Sequence, residues 1–163
     1  MDKFIFNNFM DNGKERFARL ETANHNIPVN IYAEEDSDFD LQNGELCETS
    51  VFGVGSGYEV YRSEKEYYEH HEKLASVSLF PIGLFPSSPD DKDWEESCHV
   101  MFSGKVIDFL PNPYSEDENI NCLIFVETLD MTIGIYTKYD GIIEEGYYIH
   151  GIAWLFGDIA RIS

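Results

Sequence analysis

The sequence predicts a mainly β protein with one or two short helices. Apolar and polar residues alternate with a period of two from Met131 to Tyr139, as in a half-buried strand. Glycines and prolines interrupt the apolar stretches at short intervals, which is typical of turns between strands. From Cys98 onward almost every apolar stretch has the strand pattern. A chain of 163 residues, 43% of them hydrophobic, can bury a core without disulfides.

The N-terminal region, residues 1–78, is predicted to contain a β-hairpin and a helix. Asp11–Glu21 has two apolar residues at helical spacing and is a possible short helix. Ile27–Tyr32 alternates as a strand does. Cys47–Gly53 and Tyr58–Tyr61 then read as two strands of a hairpin, joined by a turn at the glycine-rich segment Gly53–Gly57.

A capping box marks the start of the clearest helix. Ser63 is followed three residues later by Glu66, so each side chain can bond to a free backbone N–H at the helix start. A helix of about 11 residues would place Tyr67, His71 and Leu74 on one face. This face should pack against the rest of the protein.

Residues 79–97 form a connector and an acidic loop. Two prolines in Leu79–Pro86 exclude a helix, and the apolar composition predicts that this segment packs on the core instead of acting as a free linker. We therefore expect one compact unit made of residues 1–78, the connector and a barrel over residues 98–163.

The C-terminal region resembles an OB-fold barrel over roughly residues 98–160. The resemblance depends on a strand bent at glycine (Phe102–Val106), a glycine in the third strand (Gly134) and a closing segment, Glu145–Gly151. OB-folds commonly bind oligonucleotides or oligosaccharides on the face of strands two and three. Here residues 98–160 carry ten acids against Lys105 and Lys138, and phosphate binding needs cations. The resemblance therefore implies the fold and not a nucleic-acid ligand.

Charge is strongly asymmetric along the chain. The net charge is −20, and because four bases balance four acids in residues 1–33, all of the excess lies in residues 34–163. Such a field repels nucleic acid and anionic lipid and attracts basic proteins. The three cysteines are odd in number and widely spaced, which favours buried thiols in a reducing compartment. With no leader-like or spanning segment evident, we expect a cytoplasmic protein.

No short motif predicts a metal, a cofactor or a catalytic residue. Asp36–Asp40 is similar to the first half of a calcium loop, but Leu41 and Cys47 stand where that loop needs glycine and glutamate. The segment Gly53–Gly57 matches no phosphate-binding loop and no nucleophile elbow. The histidines lack metal-binding spacing. Whether neighbouring strands bring together a thiol and imidazole set stays open; its members would be Cys98, His99, Cys122 and His150.

Two classes of function remain. The first is a non-catalytic module that docks a basic protein, for example an immunity or inhibitor protein for a cationic toxin or nuclease. Its candidate contact residues are an acidic segment and one face of the barrel: Glu34, Glu35, Asp36, Asp38, Asp40, Tyr136, Tyr148, His150 and Trp154. The alternative is a small ligand-binding domain or enzyme that uses the same aromatic face with a carboxylate such as Glu127, Asp130 or Asp158. A docking site requires the acidic loops to lie together on one face of the protein. A role in solubility alone predicts that they are scattered over its surface.

Overall fold

A computed structural model describes residues 1–11, 15–82, 84, 96–111 and 119–162. This part of the chain is mainly β and contains one short helix, α1 (Glu64–His70). The strands, in chain order, are β1 (Asp2–Asp11), β2 (Arg16–Thr22), β3 (Pro28–Ala33), β4 (Leu46–Thr49), β5 (Val51–Tyr61), β6 (Ser78–Pro81), β7 (His99–Pro111), β8 (Cys122–Glu127), β9 (Thr132–Thr137), β10 (Tyr148–Gly157) and β11 (Ala160–Arg161).

Five of these strands close into a β-barrel. β7, β8 and β9 form an antiparallel meander, and β9 pairs in parallel with β5. β5 pairs antiparallel with β10, which returns to pair with β7 and closes the barrel. The barrel thus confirms the predicted fold class. One of its five strands, β5, comes from the N-terminal region, so residues 98–163 contain only four of them.

The remaining strands extend the sheet beyond the barrel. β1, β2 and β3 form an antiparallel meander, and β3 joins the barrel through a short parallel pairing with the end of β10. β4 and β11 continue the sheet past β1, while β6 pairs with β7. Buried residues from both regions form one cluster that includes Phe4, Leu20, Phe102 and Ile135. Most of the connector, residues 83 and 85–95, lies outside the described residues.

The predicted helix over Asp11–Glu21 is wrong, because β2 occupies most of that segment. The two apolar residues at helical spacing, Phe17 and Leu20, are both fully buried in the strand. β1 and β3 pair with β2 on either side. Neighbouring strands therefore satisfy the backbone hydrogen bonds, and tertiary pairing overrides a weak local pattern.

The predicted hairpin over Cys47–Tyr61 is also wrong, because the glycine-rich segment lies inside one continuous strand, β5. Its glycines allow β10 to pack closely instead of making a turn. A Cβ on Gly53 would lie 3.1 Å from the Cβ of Ala153 and 3.4 Å from Leu155. β5 contains a bulge where it pairs with β10. His150 pairs with Glu59 and Ile152 pairs with Ser56, so residues 57 and 58 of β5 together lie opposite Gly151.

The capping prediction is confirmed, although α1 is shorter than expected. The Glu66 N–H donates to Ser63 Oγ at 3.1 Å, and the Glu66 carboxylate accepts from the Arg62 N–H at 3.1 Å. The helix ends at His70, and the N–H of the following residue, His71, donates to the Tyr67 carbonyl. Tyr67 is fully buried, so the helix packs against the barrel through the face that the sequence indicates.

All three cysteines are buried free thiols, as predicted. Burial raises the pKa of Cys47 to about 12, and it also raises the pKa values of Cys98 and Cys122. These thiols are therefore protonated and unreactive at neutral pH. Among the described residues, no helix has both the length and the apolar character needed to cross a bilayer.

Asp130 links the barrel to the N-terminal meander. It lies in the turn between β8 and β9 with a positive φ of 69°, and its side chain is only 3% exposed. Thr22 Oγ1 donates to one carboxylate oxygen at 2.8 Å, and His25 Nδ1 lies 2.6 Å from the other. Burial alone would raise the pKa of Asp130, but the hydrogen bonds from Thr22 and His25 lower it overall.

Replacing Asp130 by asparagine should lower stability in a pH-dependent way. Asparagine tolerates positive φ, so the main loss is the charge that accepts the two hydrogen bonds, which is worth about 1.5–3 kcal/mol at pH 7. Because the pKa of Asp130 is depressed in the folded protein, its contribution is present above the ordinary pKa of aspartate and disappears as pH falls through the folded value. Urea unfolding across pH should therefore show the two proteins converging in acid. The exposed Asp140→Asn change, which removes the same charge, is the control; an equal effect there would contradict the assignment.

Candidate functional site

Aromatic rings cover one outer surface of the barrel, which we call the aromatic face. It consists of Tyr32, Phe52, Tyr136, Trp154 and Phe156, contributed by β3, β5, β9 and β10, and each is partly exposed. Neighbouring ring centroids lie 5.3 to 6.3 Å apart, with interplanar angles of 17° to 36°. These near-parallel rings form a continuous apolar surface with polar edges.

Strand register explains why these rings meet. Phe156 pairs with Phe52, which pairs with Gly134, so their side chains project from the same face. Two residues further along β5, Val54 pairs with Trp154 on β10 and with Tyr136 on β9. The glycine is required, because a Cβ on Gly134 would lie 2.8 Å from the Phe52 ring and 3.1 Å from the Phe125 ring.

Aliphatic side chains enlarge the same surface. Val54, between Trp154 and Tyr136, is 43% exposed, and Ile152 is 44% exposed. A pocket of about 160 Å³ opens beside Phe52 and is lined also by Phe125 and Asp2. The pocket, which Met1 also lines, adds a concave point to a surface that is otherwise apolar.

An acidic rim borders the aromatic face. It consists of Glu34, Glu35, Asp36 and Asp158, which follow directly after the ends of β3 and β10. Two hydrogen bonds hold the acidic segments together: the Glu34 N–H donates to the Gly157 carbonyl at 3.0 Å, and the Asp36 N–H donates to the Asp158 side chain, at Oδ1, at 3.2 Å. The strands that carry Tyr32 and Phe156 therefore lead straight into the rim.

Within the described residues, no basic side chain pairs with the acids of the rim. Burial raises the pKa of Glu34, and the nearby negative charges of Asp158, Asp36 and Glu35 raise it further. The rim is therefore a site of concentrated negative potential next to an apolar surface.

The other acids of this loop bind the C-terminal strand. Asp38 accepts from the Arg161 N–H at 2.7 Å, and Asp40 pairs with the Arg161 guanidinium at 3.2 Å. Asp36–Asp40, the segment similar to a calcium loop, thus uses two of its carboxylates to anchor β11. Of the five acids predicted as contact residues, Glu34, Glu35 and Asp36 lie in the rim.

The remaining acidic clusters do not join the rim where they are described. Residues 140–145 precede β10, whereas the rim lies beyond the other end of this ten-residue strand. Glu96 pairs with Arg19. Residues 90–95 and 116–118 lie outside the described residues. In the part of the chain that the structure describes, acidic residues converge only at residues 34–36 and Asp158.

The structure separates the four barrel residues predicted as contacts. Tyr136 and Trp154 lie in the aromatic face, but Tyr148 and His150 lie at the other end of β10, beside α1. Tyr148 donates to Glu64 Oε2 at 3.4 Å, and its ring centroid lies 6.4 Å from that of Tyr67. The N-terminal helix therefore covers one end of the predicted surface and leaves the other end accessible.

Under the helix lies a second group of side chains, which we call the polar cluster. It consists of Glu59, Tyr61, Tyr67, His71, Ser103 and His150. Glu59, His150 and Ser103 are cross-strand neighbours on β5, β10 and β7, and His71 reaches them from the end of α1. The bulge opposite Gly151 turns Glu59 to the same face as His150.

Short contacts connect the polar cluster. His71 Nε2 lies 2.6 Å from Glu59 Oε2, and the Tyr61 hydroxyl donates to the same oxygen at 2.7 Å. These two hydrogen bonds, with Tyr61 as the larger cause, lower the pKa of Glu59. Burial lowers the pKa of His150, and the neighbouring His71 adds to this effect. The cluster therefore holds an ionised carboxylate beside a neutral imidazole.

Sequence reasoning missed this cluster. Four members lie within residues 59–71, but Ser103 and His150 are distant in the chain, and the pairing of β5, β7 and β10 brings them to the others. The alternative set of thiols and imidazoles does not assemble: within the described residues, three potential metal ligands come together only at Glu59, His71 and His150. His99 Nδ1 instead lies 2.9 Å from Ser97 Oγ.

Comparisons with protein-family models, with curated proteins and with solved structures found no match to this chain.

Proposed function

We propose that this protein is a non-catalytic interaction module that docks a basic protein partner. The observation that carries the proposal is the continuity of the aromatic face with the acidic rim through Tyr32 and Phe156. Protein interfaces combine an apolar, aromatic core with a polar border, and aromatic residues dominate their binding energy. The aromatic face and the rim have this arrangement.

The chemistry of the two surfaces defines the partner. The rim attracts Lys and Arg and speeds association, while the aromatic face supplies contact area once the partner has docked. The pocket beside Phe52 adds a recess that can receive an apolar part of a partner side chain. A cationic toxin or nuclease that this protein inhibits in the cytoplasm fits this chemistry.

We further propose that the barrel is an OB-fold with one strand permuted. In OB-folds, a three-stranded meander is followed by two strands, and the last strand lies parallel to the third. β7, β8 and β9 correspond to the meander, β10 to the fourth strand and β5 to the fifth. The parallel pairing of β5 with β9 supports this correspondence. Nucleic acid is an unsuitable ligand, because the acidic rim lies directly beside the apolar surface.

Charge reversal in the rim tests the proposal. Partners are captured from a lysate of the native cells at low salt, and association with the purified partner is measured by surface plasmon resonance. The double variant Glu35→Lys/Asp36→Lys should slow association by about tenfold and weaken its salt dependence, because long-range attraction is lost.

The control is Asp140→Lys/Glu144→Lys, which changes the net charge equally at the other end of β10, where both side chains are exposed. It should leave association within about twofold of the unaltered protein. Equal effects of the two double variants, or no effect of either, would refute docking at the rim.

A further inference from the structure

We propose that Glu59, His71 and His150 bind a divalent transition-metal ion of the zinc type. One ligand atom from each residue lies within 4.8 Å of the other two. Two imidazoles and one carboxylate form a donor set that suits zinc, whereas calcium and magnesium prefer oxygen ligands only.

A chain of hydrogen bonds orients His150 for metal binding. The Tyr67 hydroxyl donates to the Ala75 carbonyl, which can only accept, at 3.1 Å. The Ser103 hydroxyl, 2.9 Å away, must then donate to Tyr67, and Ser103 Oγ accepts from His150 Nδ1 at 2.7 Å. This chain places a proton of His150 on Nδ1, so Nε2 is the ring nitrogen that would bind a metal. Metal-binding histidines commonly have their other ring nitrogen held in this way.

His71 and Glu59 supply the other two ligands. Without metal, His71 Nε2 and Glu59 Oε2 form a hydrogen bond of 2.6 Å. Ligands of a tetrahedral zinc ion at about 2.0–2.1 Å lie about 3.3 Å from one another. The metal would take the place of this hydrogen bond, so a proton on Nε2 must first leave it, either for Nδ1 of the same ring or for solvent. The small separation required is available to Glu59, whose side chain is 51% exposed.

The arrangement leaves a coordination position open. The side chains of His71 and Glu59 are 22% and 51% exposed, so solvent reaches the space between the ligands. Three protein ligands beside an accessible space are typical of zinc sites that keep a bound water. This inference is independent of docking at the aromatic face, which lies toward the other end of β10.

Metal titration of the purified, chelator-treated protein tests the site. Calorimetry with zinc, in excess magnesium to occupy the many surface carboxylates, should show one site per chain with micromolar or stronger affinity. Cobalt should give the absorption of a four-coordinate complex with nitrogen and oxygen ligands and no thiolate band. Absence of saturable binding, or a thiolate band, would overturn the proposal.

Variants locate the site. Glu59→Gln keeps the shape of the side chain but removes the charged ligand, and His71→Asn removes an imidazole at the helix end; each should weaken zinc binding at least tenfold. The matched control is His70→Asn, because His70 is the exposed neighbour that bonds the Glu66 carbonyl and packs on Tyr61, but does not belong to the ligand set. Zinc should raise the melting temperature of the unaltered protein and of the control, but not that of Glu59→Gln. Equal zinc affinity in all four proteins would overturn the assignment.

Discussion

Replacing Gly151 by alanine should destabilise the fold by about 3 kcal/mol. A Cβ at this position would overlap Cδ1 of Tyr58 and lie 2.6 Å from Cε1. The Tyr58 ring packs inside the barrel, with its centroid 6.0 Å from that of Phe102. It cannot move away without opening a cavity. Because the same bulge orients Glu59, the change should also weaken the proposed zinc site.

Urea unfolding followed by circular dichroism measures this effect. The same change in a Tyr58→Leu protein identifies the cause. The smaller side chain leaves room for the new methyl group, so Gly151→Ala should lower the free energy of unfolding less in that protein. A loss below about 0.5 kcal/mol in the unaltered protein, or an equal loss in both backgrounds, would contradict the packing of Tyr58 on Gly151.

Replacing Val54 by lysine should weaken partner binding at least 30-fold. Val54 is the exposed side chain between Trp154 and Tyr136, at the centre of the aromatic face. A lysine there would place a positive charge against a basic partner inside an apolar contact, and such central positions are worth about 2 kcal/mol or more.

Ile142→Lys is the control for this change. Ile142 is 74% exposed and lines a pocket with Val60, which is six residues, or about 20 Å, from Val54 along the barrel. It should bind the partner normally. Thermal melting should show both variants folded, because both side chains are exposed. Normal binding by Val54→Lys would contradict a central role for the aromatic face.

Local patterns predicted the elements whose structure depends on local contacts. The capping box at Ser63 marks a helix because its hydrogen bonds join residues three apart. The alternation from Met131 to Tyr139 marks β9 because one side of the strand faces the core. The fold class followed from many such stretches taken together.

The sequence-based predictions failed where the structure depends on contacts between segments that are distant in the chain. The glycines of β5 resemble a turn in isolation, but they are required by the close approach of Ala153 and Leu155. The polar cluster depends on the pairing of His150 with Glu59 and Ser103, which no local spacing encodes. The acidic rim likewise exists because Gly157 pairs beside Ala33, and this pairing brings Asp158 to Glu34.

Site-specific photo-crosslinking tests the proposed docking surface most directly. A photoreactive phenylalanine analogue is placed at position 54 or at position 142, and the protein is irradiated in its native cells. The proposed function predicts crosslinks from position 54 to a basic protein, weakened by Glu35→Lys/Asp36→Lys, and none to that protein from position 142. No crosslink from position 54, equal crosslinks from both positions, or an acidic crosslinked partner would contradict it.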